Sequence, residues 1–193
     1  MSSQKSILGL HLSPRGDGSS RVLLDSFANG AREAGSEFRI LSVSDHHDIA
    51  GCQECGACAV AGQCRIDDGM GDFYEAIGEA SRIVVASSIF FYDVPAQGKA
   101  VIDRCQAFWS RRYVLGQDRE GRQDAKGFLL AVGATKGQDL FAPITLSVKY
   151  LFDSLGFPKT FGTLFFRRVE DPDGLTLDQV LSARRAGSDF ASG

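Results

Sequence analysis

Hydrophobic positions change period repeatedly along the chain. Ser6–Leu12 is a short apolar run that stops at Ser13-Pro14-Arg15-Gly16-Asp17-Gly18, where a proline and two glycines end a strand and open a loop. Leu23, Leu24, Phe27 and Ala31 then recur at helical spacing, predicting a helix to about Gly35 that Ser19 or Ser20 can N-cap. Phe38–Val43 reads as a second strand. Residues 44–69 are polar, rich in Cys and Gly, and carry no usable period. Met70–Ala80 is helical with Phe73, Ile77 and Ala80 inward, and the β-branched run Arg82–Ser88 suits a strand buried on both faces.

After the loop Ile89–Pro95, the stripe Val101, Ile102, Cys105, Phe108 and Trp109 predicts a helix to about Trp109. The charged, Gly-punctuated stretch Arg111–Lys126 reads as a surface excursion. Phe128–Val132 is a fourth strand, Leu140–Leu155 a helix that Gly156 is placed to cap, and Thr160–Phe166 a fifth strand. A last helix begins near Leu175 and frays by Gly193. Strands alternating with helices imply a parallel sheet covered on both faces.

The chain has 193 residues, of which 44% are hydrophobic and 23% charged, as expected of one folded domain over 1–193 with a Cys-rich loop insertion at about 44–69. Lys+Arg 21 against Asp+Glu 24 gives a net charge of −3, which argues against affinity resting on many DNA phosphates. No apolar run is long enough to span a bilayer, and the N-terminus offers only Ile7–Leu12 before Pro14, interrupted by His11. The expectation is a cytoplasmic, reducing environment without nucleic acid or membrane partners, in which the five cysteines serve as ligands or buried thiols.

In such a sheet, ligands bind beyond the carboxyl ends of the strands. The first loop, Ser13 to Ser20, supplies hydroxyls, backbone N–H groups, a guanidinium and a helix N-terminus, which are the parts of a phosphate site or of a well-capped turn. It lacks the third glycine of a dinucleotide fingerprint, because Arg21 stands there. The third-strand loop, Ser87 to Val94, places Phe90, Phe91 and Tyr92 in a row, able to wall a planar ligand or to cover a core or subunit interface. The second-strand loop carries Cys52-x2-Cys55-x2-Cys58-x5-Cys64, four thiols separated by small residues. They suit one metal centre, a cubane or a zinc site, with four free thiols in a loop as the alternative. Cys105, on an apolar stripe, reads as core.

Taken in order, Ser-Pro-Arg-x-x-Gly-x-Ser, the four-cysteine run, the Ser-x-x-[YF]-F loop and Lys99-x-x-x-Asp103-Arg104 resemble the flavodoxin-like NADPH-dependent FMN reductase superfamily, and within it the iron–sulfur flavoprotein group. The resemblance covers residues 5 to 165. It implies an α/β, flavodoxin-like, doubly wound five-stranded parallel sheet of order 2-1-3-4-5. It also implies FMN, with its phosphate at Ser13, Arg15, Gly18, Ser19 and Ser20. Ser87, Ile89, Phe90, Phe91, Tyr92 and Asp93 then lie beside the isoalloxazine, with Gly133 and Ala134 closing the far side. The group uses Cys52, Cys55, Cys58 and Cys64 for a [4Fe–4S] cluster, and forms dimers or tetramers. Leu12, Ser88, Phe90 and Gly69 depart from the usual family residues at those positions.

The function expected is an FMN-dependent oxidoreductase that couples a one-electron carrier of ferredoxin type, or NAD(P)H, to an acceptor. No side chain is needed as nucleophile, acid or base, since the cofactors carry the chemistry. The alternatives are a cluster-free NAD(P)H-dependent FMN or quinone reductase, and an electron-transfer or redox-sensing module without its own substrate. His11 reads as a satisfied core histidine and His46-His47 as solvated. Arg111-Arg112 can meet the 2′-phosphate of NADPH, although Asp118, Glu120 and Asp124 nearby suggest a mixed surface.

Overall fold

Residues 6–117 and 124–193 are described by the computed structural model. Five strands, β1 (Ser6–His11), β2 (Glu37–Ser42), β3 (Arg82–Ser88), β4 (Lys126–Gly133) and β5 (Gly162–Arg167), form one sheet of order β2-β1-β3-β4-β5. Every pairing is parallel, with Leu10 of β1 registered between Leu41 and Val85. The helices are α1 (Ser19–Glu33), α2 (Ala57–Ala61), α3 (Met70–Glu79), α4 (Ala96–Arg104), α5 (Gln106–Trp109), α6 (Ala142–Ser154) and α7 (Leu177–Ser192).

Alternation along the strands divides the core in two. Leu8, Leu10, Ile83, Val85, Leu129 and Ala131 face the layer of α3, α4, α5 and α6. Ile7, Val84, Ala86, Leu130 and Val132 face α1 and α7. Those two helices approach so closely that a Cβ on Gly30 would lie 1.9 Å from the Arg184 carbonyl oxygen, and one on Gly187 would lie 1.9 Å from that of Phe27.

The structure corrects several local expectations. Neither Ser19 nor Ser20 caps α1. The N-cap is Gly18, in extended backbone and without a side-chain cap, and both serines are buried in the first turn. Trp109 leaves the apolar stripe and is 40% exposed, because the helix breaks at Cys105 and turns its face. The start of the expected 111–126 excursion is instead a π-helical turn, Ser110–Val114, while 118–123 lie outside the described residues. The last helix starts at Leu177, where Thr176 and Gln179 form a capping box behind the 3-10 turn Pro172–Gly174. Among the described residues, no helix is long and apolar enough to cross a membrane.

Candidate functional site

Beyond the carboxyl ends of β1, β3 and β4 lies a cavity of about 210 Å³. Ser13, Arg15, Gly18, Ser19, Ser20, Ile89, Phe90, Gly133 and Ala134 line it, so folding gathers nine expected residues from three separate loops. Its polar end is the start of α1, which has no acidic residue in its first turn to offset the helix dipole. Among the described residues, Ser19 Oγ is buried there without a hydrogen-bond partner. A buried hydroxyl left unpaired costs free energy, so this atom awaits an acceptor. An uncapped helix N-terminus, an orphan hydroxyl and Arg15 together fit a phosphate group.

The neighbouring hydroxyls are held from behind. His11 Nδ1 bonds Ser42 Oγ at 2.7 Å and its Nε2 bonds Ser20 Oγ at 3.0 Å. Ser20 Oγ donates to Ser13 Oγ at 2.9 Å, which also accepts from the Ser88 amide at 2.7 Å. Burial, reinforced by the charge of Arg21, lowers the His11 pKa to about 4, so the ring is neutral at ordinary pH. This is the satisfied core histidine expected from the sequence, but it also braces the cavity's serines. Ser88, where the family usually has proline, joins the lining together with Val169 and Glu170. Val169 and Glu170 carry no signal in the sequence: they follow β5, and its pairing with β4, with the Val169 amide donating to the Gly133 carbonyl at 3.2 Å, brings them in.

Four expected residues lie off the cavity lining. Ser87 is buried at the end of β3, its hydroxyl donating to the Ser88 carbonyl. Phe91 and Tyr92 occupy the centre of a two-residue turn closed by reciprocal bonds between Phe90 and Asp93 at 2.9 and 3.0 Å. Both have positive φ, 49° and 70°, a turn geometry that favours Asn-Gly over two aromatics and stores strain. Phe91 is fully exposed, and the Tyr92 hydroxyl packs on Gly137. Asp93 accepts from Ser147 Oγ and from the Val94 amide, fixing the base of the turn.

A second cavity, of about 670 Å³, is lined by all four cysteines of the second-strand loop and shares no lining residue with the first. Cys52 and Cys55 are exposed, and Cys58 and Cys64 half-buried. Among the described residues, no three His, Cys, Asp or Glu side chains stand in a geometry that would hold a single metal ion. Four thiols around one cavity are a donor set of the kind that iron–sulfur clusters and structural zinc both take. Cys58 sits in α2, a single turn bounded by Gly56 and Gly62, both at positive φ.

Arg104 closes the stem of this loop. Its guanidinium pairs with Asp68 and donates to the carbonyls of Ile66 at 3.0 Å and Ala50 at 3.3 Å. Asp68 in turn accepts from the amides of Ala50 and Met70, each at 3.0 Å. The Tyr74 hydroxyl donates to the Arg104 carbonyl at 2.8 Å. Burial pushes the Cys64 thiol up, but the Ile66 amide, Tyr74 and Arg104 outweigh it and hold its pKa below the ordinary value. Cys105 is core, its pKa pushed up to about 12 by burial. The apolar stripe of α4 held the signal for Arg104, as a charge three residues beyond Val101 and next to Cys105.

The remaining candidates are engaged elsewhere. Arg111 donates to the Gly62 carbonyl and lies over the Phe108 ring, and Arg112 lies over Tyr113. His46 faces Asp72 at 3.8 Å and packs edge-on against Phe73.

The "Iron-sulfur flavoprotein" of Methanosarcina thermophila is 30% identical over 130 residues, 67% of this chain and 64% of that protein. A protein of the same name from Archaeoglobus fulgidus is 33% identical over 136 residues, 69% of this chain and 66% of its own length. The match thus spans slightly less than two thirds of these relatives. Among solved structures, the NAD(P)H:quinone oxidoreductase from Methanothermobacter marburgensis superposes with a TM-score of 0.72 at 20% identity, covering 97% of this chain and 98% of that one, a likeness of fold. The family model for NADPH-dependent FMN reductase matches residues 6–140, and the chain belongs to that family.

Proposed function

We propose that the chain is an FMN-dependent oxidoreductase of the iron–sulfur flavoprotein type, with a [4Fe–4S] cluster on Cys52, Cys55, Cys58 and Cys64. The observation that carries the flavin is the buried, unpartnered Ser19 hydroxyl at the uncapped start of α1, in one cavity with Arg15, Ser13 and Ser20. These residues would hold the FMN phosphate. The small volume of this cavity, about 210 Å³, suits the phosphate and its linker, leaving the ring system to the rim formed by Phe90 and the strained turn beyond it. The cluster is supported by four thiols around one cavity and by the names of the relatives.

When bound, FMN exchanges electrons singly or in pairs whereas a cluster passes one at a time, so the two couple a one-electron carrier to a two-electron acceptor. The protein's part is to bind and orient. Arg15 and the α1 N-terminus neutralise the phosphate, His11 keeps the serine hydroxyls in place, and Arg104 holds the thiol loop closed. The electron donor in this reading is a ferredoxin-type carrier or NAD(P)H, in the cytoplasm. The fully exposed Phe91 beside Phe90 and Tyr92 supports assembly into a homodimer or homotetramer.

Anaerobic purification followed by an absorption spectrum with iron and acid-labile sulfide assays tests the reading. Flavin and iron together are expected. Arg15→Ala should weaken FMN by about 1.5 kcal/mol, roughly tenfold, and leave riboflavin, which lacks the phosphate, nearly unchanged. Full FMN without iron or sulfide after reconstitution would leave the cluster-free NAD(P)H-dependent reductase, and an equal loss for both flavins would remove the phosphate assignment.

A further inference from the structure

The helical segment that follows the third-strand loop touches the cysteine loop at three points. Arg104 clamps the stem, Arg111 donates to the Gly62 carbonyl at the end of α2, and between them Ser110 reaches a sulfur. Arg104 ends α4 and Arg111 lies in the π-helical turn beyond α5, so the contacts come from successive short segments. Ser110 is 1% exposed, and its hydroxyl donates to Cys58 Sγ at 3.4 Å. The turn that begins at Ser110 is π-helical, closed by a bond of 3.0 Å from the Leu115 amide to the Ser110 carbonyl. Such turns are rare and recur at functional sites. Here the wide turn stands against the wall of the thiol cavity that Trp109 and Ser110 form.

We propose that Ser110 is a positioning residue that raises the reduction potential of the group held by the four cysteines, through its hydrogen bond to the Cys58 sulfur. The inference rests on the cluster reading above and deepens it. Reduction adds one electron to the cluster and its thiolate ligands, with no bond made or broken at Ser110 and no proton transferred from it. A hydroxyl donor on a ligand sulfur stabilises the more negative state more, so it favours reduction. Ser110 is itself buried beside the half-buried Cys58, and Ser110→Ala removes this donor. The sequence pattern hid this role, since a serine after Trp109 read only as the end of a helix.

The test is an EPR-monitored redox titration of anaerobically reconstituted wild type, Ser110→Ala and Ser110→Thr, with Ser154→Ala as a buried-serine control whose hydroxyl donates to the Leu151 carbonyl. Ser110→Ala should keep full iron, sulfide and FMN while its reduction equilibrium constant falls roughly tenfold, about 59 mV for one electron. Ser110→Thr should stay near wild type, and Ser154→Ala should not move. An unchanged potential in iron-loaded Ser110→Ala, an equal shift in Ser154→Ala, or loss of iron from Ser110→Ala, which would make the residue a structural support, overturns the proposal alone. Wild-type protein without iron or sulfide overturns the cluster reading and this proposal with it.

Discussion

Removing Asp68 is the sharpest perturbation of the cysteine-loop stem. The Arg104 side chain is 0% exposed and that of Asp68 8%, so their pair is buried. Asp68→Ala deletes the guanidinium's counter-charge and strips the acceptor from the Ala50 and Met70 amides. Arg104 keeps two carbonyl partners, while its Nε finds none among the described residues. Breaking a buried pair from one side costs about 3–5 kcal/mol, because a charge is left without its counter-ion. That is a large part of a typical domain's stability of about 5–15 kcal/mol. Urea denaturation should show this loss in the midpoint. Hydrogen exchange at Ala50 and Met70 should quicken more than in β3, since the pair pins a loop stem rather than the sheet. Arg104→Met combined with Asp68→Ala should be more stable than the single Asp68 variant, because the unpaired charge is gone. A loss under about 1 kcal/mol for Asp68→Ala, with exchange unchanged, would refute the reasoning. Acid should act in the same direction. Burial raises the Asp68 pKa, but Arg104 and the two amides outweigh it and hold the folded-state value below the ordinary one. The stability is therefore present above the unfolded carboxylate's pKa and is lost as pH falls through the lower folded value.

Two further outcomes follow from the helix contact and the buried imidazole. Gly187→Ala should destabilise by several kcal/mol, more than the roughly 1 kcal/mol gain expected for Gly→Ala at an open helix position would offset, because its methyl would meet the Phe27 carbonyl; a stabilised variant in thermal unfolding would show that α1 and α7 do not meet there. His11 has a folded pKa of about 4 against 6.5 unfolded, so its contribution is whole above 6.5 and is lost as pH falls from 6.5 to 4; His11→Gln should flatten that part of the stability–pH curve, and an unchanged curve would place the titration elsewhere.

The sequence by itself determined the sheet and its covering. Runs such as Arg82–Ser88 alternate nothing and must be buried on both faces, and the amphipathic segments between them can only serve as crossovers. Strand order, and the grouping of Ser13, Arg15 and Ser19 with Ile89 and Gly133, came through the resemblance rather than from periodicity, because no local pattern states which strand ends are neighbours. Only the tertiary structure decided the rest. Arg104 is a surface residue by composition and a buried clamp in fact, since its partners Ala50, Ile66 and Asp68 lie 36 to 54 positions away. His11 looked like core and is also the brace of a phosphate-side cavity, through hydroxyls contributed by β2 and α1. Phe91 and Tyr92, expected beside the flavin ring, sit in a turn that the reciprocal Phe90–Asp93 bonds close at positive φ, with Phe91 fully exposed, a conformation that no periodicity announces. Periodicity records which face of an element is buried. It does not record which polar groups meet across elements, because that is fixed by distances between segments remote in sequence.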